Sequence, residues 1–167
     1  MDVLLIRHAV AEQRDPGRWP DDALRPLTAP GKRRFREAVA GLARIVPRPA
    51  VVLTSPYERA QATAAILEKA AAWPAAVACD ALCPGATAAD VIAVMRGMPE
   101  AECVAVVGHE PGLSRLLTCL LAGSEEAMAV EFRKGGAALV TFQGEPAAGQ
   151  GRLCMLLTPR VLRRLGR

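Results

Sequence analysis

Short apolar runs alternate along the chain with segments in which apolar residues recur at helical spacing. The runs at 3–6, 50–54 and 103–107 predict buried strands, and a less apolar run at 75–79 predicts a weaker one. Each run is followed, directly or after a loop, by a segment typical of an amphipathic helix. Because strands joined through helices pair in parallel, we expect an α/β fold: a three-layer sandwich with a mostly parallel central sheet and helices on both faces.

Hydroxyl residues mark the starts of three helices. Thr28 and Thr87 are N-cap candidates, the second with Asp90 three residues later in the pattern of a capping box. Ser55 followed by Pro56 predicts the start of the helix after the second strand, with Ser55 as its cap. The predicted helices cover residues 29–46, 56–72, 88–98, 113–121 and 159–165.

The last third of the chain has a different pattern. Residues 137–142 and 152–157 predict two strands around a Gly- and Pro-containing loop, an antiparallel pair at one edge of the sheet. Residues 10–27 contain Asp, Pro, Gly and Trp without periodicity and predict a long loop, whereas residues 131–136 fit no element. Because no repeat and no linker divides the chain, we expect a single domain over residues 1–167.

The composition fits a globular protein, with 51% apolar residues among 167. No stretch approaches the roughly 20 apolar residues that span a bilayer. Arg7 interrupts the first apolar run, which therefore does not resemble a signal peptide, and we expect a cytoplasmic protein. The five cysteines have no CxxC spacing and only two histidines are present, so we expect structural thiols and no metal.

The formal net charge is +4, with basic clusters at 32–36 and 160–167. The cluster at 160–167 contains no aromatic residue and the cluster at 32–36 contains one. We therefore interpret both clusters as solvated helix faces rather than as a nucleic-acid interface. The mild basicity favours an acidic or phosphorylated partner.

Both histidines and several arginines follow predicted strands. Arg7 and His8 come directly after the first strand, and His109 follows the fourth. Arg59 lies in the first turn of the helix after the second strand, and Arg25 lies in the long loop. Because the carboxyl ends of parallel strands meet at one edge of a sheet, these side chains should converge there. The alternative for the first pair is an arginine that extends to solvent beside a histidine that caps the strand.

Two arginines and two histidines without a carboxylate cluster suit a tetrahedral dianion such as phosphate. A helix N-terminus attracts anions through its free amides, and guanidinium groups neutralise the oxygens of a phosphoryl group. A neutral imidazole can attack phosphorus and form a phosphohistidine, which water then hydrolyses. We expect no cofactor in such a reaction.

Three motifs, in this order, resemble the histidine phosphatase (phosphoglycerate mutase-like) superfamily. They are Arg7-His8-Ala9, the Thr-Ser-Pro-Tyr-Glu-Arg-Ala-Gln-Ala-Thr-Ala stretch at 54–64, and Val107-Gly108-His109. The short chain, the Arg-Pro-Leu-Thr-x-x-Gly stretch at 25–31 and Leu82-Cys83-Pro84 resemble the small bacterial phosphohistidine phosphatases of SixA type. The resemblance extends from residue 2 to about residue 157.

The resemblance implies a role for each candidate residue. His8 matches the nucleophile, Arg7 and Arg59 match the phosphate clamps, and His109 matches the histidine that donates to the transferring phosphoryl group. Arg25 matches a loop arginine near the substrate. The resemblance also implies a metal-independent reaction through a phosphohistidine on the enzyme.

One departure concerns the proton that the leaving group needs. Larger members of the superfamily have a Glu acid after the third strand, where this chain has Leu82-Cys83-Pro84, and SixA-type members also lack it. An alkoxide needs a proton from a positioned acid, whereas a phosphoramidate can be protonated on its own nitrogen. The departure therefore favours a phosphohistidine substrate. Alternatively, Glu12, Asp80 or Glu110 supplies the proton, and Glu110 is the best of the three because it follows His109.

The Cys83 thiol stands near the expected site but has no histidine in a recognisable pairing, so we expect it to pack rather than to react.

Three functions remain open from the sequence. The favoured one is a phosphatase that acts on a phosphohistidine of a signalling or phosphotransfer protein. In the second, the same site acts on a small phosphoester or phosphoanhydride. In the third, the chain is a phospho-dependent binding module without turnover, although a binding module needs no nucleophile.

Overall fold

A six-stranded sheet forms the centre of the protein, and the structure, a computed structural model, describes residues 1–167. The strands are β1 (Asp2–Arg7), β2 (Val51–Thr54), β3 (Val77–Ala78), β4 (Cys103–Gly108), β5 (Ala137–Thr141) and β6 (Arg152–Leu157). The helices are α1 (Ala29–Ile45), α2 (Glu58–Ala71), α3 (Ala88–Arg96), α4 (Gly112–Ala122) and α5 (Pro159–Leu165).

The strand order is β3-β2-β4-β1-β5-β6. The first four of these strands are parallel, whereas β5 pairs antiparallel with both β1 and β6. The predicted α/β fold and the predicted antiparallel pair at one edge are confirmed. The strand expected at 75–79 is reduced to the two residues of β3, which are exposed at the other edge.

The side chains of β1 alternate between two apolar cores, one on each face of the sheet. Leu4 and Ile6 pack in the core that includes residues of α1, α2 and α5. Val3 and Leu5 pack in the core that includes residues of α3 and α4. All four side chains are fully buried, as a run of consecutive apolar residues requires of a central strand. The helices therefore cover both faces, and the predicted three-layer arrangement is confirmed.

The predicted caps of two helices are present. The Thr28 hydroxyl accepts the backbone N–H of Gly31 at the start of α1, and Thr87 and Asp90 form a reciprocal capping box at the start of α3. Gly31 also permits a close approach, because a Cβ at this position would lie 2.2 Å from the carbonyl oxygen of Val10. The first turn of α1 thus packs directly against the chain that leaves β1.

The predicted cap of α2 is wrong. The helix begins at Glu58, and Tyr57 occupies the N-cap position without a side-chain hydrogen bond. Ser55 lies two residues before the N-cap position, and its side chain instead contacts His109, as described below. Ser-Pro is a common helix start, but here it ends the strand and forms the bend that brings Arg59 to the edge of the sheet.

The chain contains no helix that is both long enough and apolar enough to cross a membrane.

Candidate active site

The two histidines of the chain meet at the carboxyl edge of the sheet. Arg7 at the end of β1 pairs with Gly108 at the end of β4, so the next residue on each strand is a histidine. The ring centroids of His8 and His109 are 5.1 Å apart, and each residue is about 5% exposed. Residues separated by about a hundred positions in sequence therefore share one buried site.

The His8 ring is held in a single tautomer. Its Nδ1 lies 2.7 Å from the carbonyl oxygen of Ala9, which can only accept, so the proton is on Nδ1. Burial, with smaller contributions from the charges of Arg59 and Arg7, lowers the pKa of His8 to about 3. At neutral pH the ring is uncharged, and its Nε2 carries a lone pair that is not engaged by the protein.

His109 is held by Ser55, the residue whose sequence context predicts a helix cap. Its Nε2 lies 2.8 Å from the Ser55 hydroxyl oxygen, which also accepts the backbone N–H of Tyr57 at 3.3 Å. The His109 Nδ1 is buried and has no hydrogen-bond partner. Burial and the charge of Arg59 lower the pKa of His109 to about 3, so this ring is also neutral at pH 7.

Arg59, in the first turn of α2, is 4% exposed. Its Nη1 donates to the backbone carbonyl of Asp22 at 2.8 Å, and its Nη2 lies 3.1 Å from the Asp22 carboxylate. Burial and the charge of Arg25 lower the pKa of Arg59, which remains a cation. The guanidinium also lies over the Tyr57 ring, 4.9 Å from its centroid. Its Nε has no partner in the protein.

Thr63, one turn further along α2, links this helix to the end of β1. Its hydroxyl donates to the Arg59 carbonyl at 2.6 Å and accepts the backbone N–H of Ala9 at 3.0 Å. The residue after His8 is therefore fixed to the helix that carries Arg59.

Arg7 is held by the segment 131–136, whose sequence fits no regular element. One amino group of Arg7, Nη1, donates to the backbone carbonyl of Phe132, whereas the buried Nε has no partner. The Gly135 N–H lies 3.1 Å from the carbonyl oxygens of both Arg7 and His8. Gly135 has a φ of +79°, a conformation that favours glycine. This segment forms one wall of the site.

Arg25 lies beside the site and is held by its own loop. Its Nε donates to the Asp22 carboxylate at 2.8 Å, and its Nη1 donates to the carbonyl of Glu12 at 2.8 Å. Arg25 shares the Asp22 carboxylate with Arg59, and its charge contributes to the lowered pKa values of Arg59 and His109. Its predicted contact with substrate stays a prediction.

Two charged residues near the site were not predicted. Asp22 bridges Arg25 and Arg59, and the hydrogen bond from Arg25 lowers the pKa of its carboxyl. Burial, followed by the charges of Arg7, Arg25 and Arg59, lowers the pKa of Lys134, an exposed residue next to Gly135. A signal for Asp22 existed, because an acidic residue three positions before Arg25 suits an i, i+3 pair. The sequence around Lys134 had no comparable signal.

The three carboxylates proposed as alternative acids lie in different surroundings. Glu110 accepts hydrogen bonds on both oxygens, from the Phe132 N–H and the Ser114 hydroxyl. Asp80 is exposed in a 3-10 turn and raises the pKa of Cys83 rather than that of either histidine. Glu12 is half-buried, and its backbone carbonyl contacts Arg25.

The Cys83 thiol lies close to Ser55, at the side of the site. Burial and the charge of Asp80 raise the pKa of Cys83, so the thiol is protonated at neutral pH. This favours a packing role over a nucleophilic one, because the thiolate is the reactive form. No three His, Cys, Asp or Glu side chains come together as metal ligands do, and a metal-free reaction stays a prediction.

The site as a whole offers two imidazole nitrogens without a partner in the protein, Nε2 of His8 and Nδ1 of His109, beside two arginines. Arg7 and Arg59 supply positive charge around His8, and the Asp22 carboxylate acts on His109 by raising a pKa that burial lowers. Such a site can bind a phosphoryl dianion and offer it a neutral nitrogen nucleophile.

Comparison with known proteins gives a consistent picture of family and fold. The model of the histidine phosphatase superfamily (branch 1) matches residues 3–82. A search of curated proteins by sequence finds no match.

Solved structures match over nearly the whole chain. The protein histidine phosphatase SixA, solved with tungstate, is 25% identical, with a TM-score of 0.84 over 97% of this chain and 99% of that one. A candidate SixA phosphohistidine phosphatase from Agrobacterium tumefaciens is 24% identical, with a TM-score of 0.78 over 95% and 97%. The α-ribazole phosphatase of Shigella flexneri is 18% identical, with a TM-score of 0.73 over 95% and 97%. The last two likenesses concern the fold alone.

Proposed function

We propose, from the premise that the chain is a phosphatase of the histidine phosphatase superfamily, that it hydrolyses a phosphohistidine carried by another protein. In this proposal His8 is the nucleophile, Arg7 and Arg59 bind the phosphoryl oxygens, and His109 donates a hydrogen bond to them. The observation that carries it is the His8 ring, which is neutral, is protonated on Nδ1 through its bond to Ala9, and has a free Nε2.

The reaction proceeds in two displacements at phosphorus. The His8 Nε2 attacks the phosphoryl group while the bond from phosphorus to the substrate nitrogen breaks, and the substrate imidazole leaves. Water then attacks the phosphohistidine, the bond from phosphorus to Nε2 breaks, and inorganic phosphate is released. Arginine side chains that already face the site stabilise the charge on the oxygens in both steps without reorganising.

His109 acts as a hydrogen-bond donor in this scheme. When the Ser55 hydroxyl donates to Nε2, the ring proton of His109 is on Nδ1, the nitrogen that has no partner in the protein. A bound phosphoryl oxygen would accept this proton in a hydrogen bond. The neutral state of His109 also avoids adding a third buried cation beside Arg7 and Arg59.

The surroundings of the carboxylates support a phosphoramidate over an alkyl phosphate. Asp22 is paired with two arginines and its pKa is lowered, so it is a poor proton donor at neutral pH. Glu110 is engaged by Phe132 and Ser114. A leaving imidazole takes its proton on its own nitrogen and does not need either residue.

A protein substrate is supported by the likeness to SixA, described as a protein histidine phosphatase. The formal net charge of +4 suits an acidic surface around the modified histidine. A signalling partner and a cytoplasmic location stay predictions from the sequence.

A substrate panel tests the proposal. Histidine-phosphorylated protein, an activated aryl phosphate, a sugar phosphate and α-ribazole phosphate are compared at equal concentration, and the highest kcat/KM is expected for phosphohistidine. A preference for one of the phosphoesters would replace the proposed substrate with a small molecule.

The nucleophile is tested by rapid acid-free quenching with labelled substrate. The wild type should form a phosphoenzyme that is labile in acid and stable in alkali, and His8→Ala should form none. Cys83→Ala serves as the control and should label like the wild type. Binding of phosphohistidine protein without turnover in the wild type would instead identify a binding module.

A further inference from the structure

Glu110 is connected to Arg7 through the backbone of one residue. The Glu110 Oε1 accepts the backbone N–H of Phe132 at 2.7 Å, and the backbone carbonyl of the same Phe132 accepts Nη1 of Arg7. The Glu110 carboxylate thus binds the N–H of Phe132, and the Arg7 guanidinium binds the carbonyl of the same residue.

Phe132 is a firm link between them, because its side chain is fully buried. It is 1% exposed and packs in the apolar core on the α3 and α4 face of the sheet, with Leu113 and Leu116 of α4. The side chain anchors the residue from within, and Glu110 anchors its N–H. The carbonyl that holds Arg7 is therefore fixed from two directions.

Glu110 is itself fixed by its second oxygen. Its Oε2 accepts the hydroxyl of Ser114 in the first turns of α4. Both oxygens of the carboxylate are engaged, and its negative charge acts on Arg7 by raising a pKa that burial lowers.

We infer that Glu110 is a positioning residue, which orients the Arg7 guanidinium toward the phosphoryl group through Phe132 and does not transfer a proton. The inference rests on the proposed function of the same site. In this role Glu110, the residue after His109, acts as a hydrogen-bond acceptor and not as an acid.

Two substitutions at Glu110 separate these tasks. In Glu110→Gln the amide oxygen can still accept the Phe132 N–H, and the Ser114 hydroxyl can turn to the Pro111 carbonyl, 3.0 Å away. This variant should keep kcat/KM within about threefold of the wild type, because the hydrogen bond is kept. Glu110→Ala should lose roughly 10- to 100-fold, the scale of a misplaced catalytic group.

A double variant tests the route through Arg7. If Glu110 acts through that guanidinium, Arg7→Ala/Glu110→Ala should be no slower than Arg7→Ala alone. Glu125→Ala is the matched control, because Glu125 Oε1 also accepts a backbone N–H at 2.7 Å, that of Ala88 at the start of α3. It should leave kcat/KM unchanged.

Three results would overturn the inference. A Glu110→Gln variant as slow as Glu110→Ala would identify a proton donor. A Glu110→Ala variant as active as Glu125→Ala would show no link to the site. A double variant whose loss is the product of the two single losses would exclude a route through Arg7.

Tungstate binding, measured by calorimetry on the same variants, keeps this test separate from the proposed function. If the wild type hydrolyses neither phosphohistidine nor an aryl phosphate, the proposed function fails. The positioning role then stands if Glu110→Ala weakens tungstate binding and Glu110→Gln does not, and it falls if neither variant changes the affinity.

Discussion

Asp22 holds Arg59 with two groups at once. Its backbone carbonyl accepts Nη1 at 2.8 Å, and its carboxylate lies 3.1 Å from Nη2. The same carboxylate accepts Nε of Arg25 at 2.8 Å. The Asp22 carboxylate therefore lies beside the buried Arg59 guanidinium, which we propose binds the phosphoryl group.

Asp22→Asn should increase the affinity for tungstate by roughly threefold to tenfold, the scale of one charge a few ångströms from an oxyanion in a partly buried site. The backbone carbonyl still holds Arg59, so the guanidinium keeps its place while a repulsive charge is lost. Asp15→Asn, in an exposed turn of the same loop, is the control and should bind as the wild type does. Weaker binding by Asp22→Asn would mean that the carboxylate acts mainly by orienting Arg59.

Ser55→Ala should lower kcat/KM by roughly 10- to 100-fold, because the buried Nε2 of His109 loses the hydroxyl that fixes its tautomer. Steady-state kinetics with an aryl phosphate measures the effect. Thr54→Val removes the neighbouring buried hydroxyl, which bonds the Ser55 carbonyl at 3.2 Å and not the histidine. Equal losses in the two variants would assign the effect to packing of β2.

The free energy of unfolding should fall as pH decreases from about 6.5 toward 3. Both histidines have pKa values of about 3 when folded and an ordinary value of 6.5, so the unfolded chain binds more protons in this window. Each histidine contributes at most about 1.4 kcal/mol per pH unit. Thermal unfolding at several pH values above 5, where few carboxylates titrate, measures the slope.

Because the chain contains two histidines, a variant with His8→Gln and His109→Gln should lose this slope between pH 5 and 6.5. Imidazole NMR signals of the wild type should show no titration above pH 5. A histidine that titrates near 6.5 in the folded protein would contradict the assignment of a neutral, buried pair.

Rates with aryl phosphates should fall steeply as the pKa of the leaving group rises. Without a positioned acid the leaving oxygen must depart as an anion, and such an acid is worth roughly 10²- to 10⁴-fold. Glu12→Gln, Asp80→Asn and Glu110→Gln are measured beside the wild type. If the rate depends little on the leaving-group pKa in the wild type and steeply in one of these variants, the substituted residue is the acid. Phosphoesters would then replace phosphohistidine as the expected substrates.

The sequence predicted the elements whose signals are local. Continuous apolar runs located β1 and β4, and the ends of these two strands led directly to His8 and His109. Thr28 and Thr87 capped helices as expected, because capping depends on residues three positions apart. Parallel pairing then explained why distant residues share one edge.

The contacts that complete the site depend on tertiary structure and could not be predicted in this way. Ser55 has the sequence context of a helix cap, yet its hydroxyl contacts a histidine on another strand. The segment around Phe132 has no periodic pattern, because it forms neither a helix nor a strand. It binds the Arg7 side chain through the Phe132 carbonyl and the carbonyls of Arg7 and His8 through the Gly135 N–H. Such contacts carry no repeat in the sequence.

The position of β1 between β4 and β5 has a consequence for how the protein folds during synthesis. Asp2 pairs with Cys103 and Leu4 pairs with Leu139, so β1 has both of its neighbours at residue 103 or later. Long-range pairing of this kind delays folding, and the apolar strand stays uncovered on a growing chain. His8, the proposed nucleophile, emerges from the ribosome well before Phe132, which holds Arg7. Activity is therefore expected only after β5 has been made, and shorter partial chains are expected to require protection from aggregation.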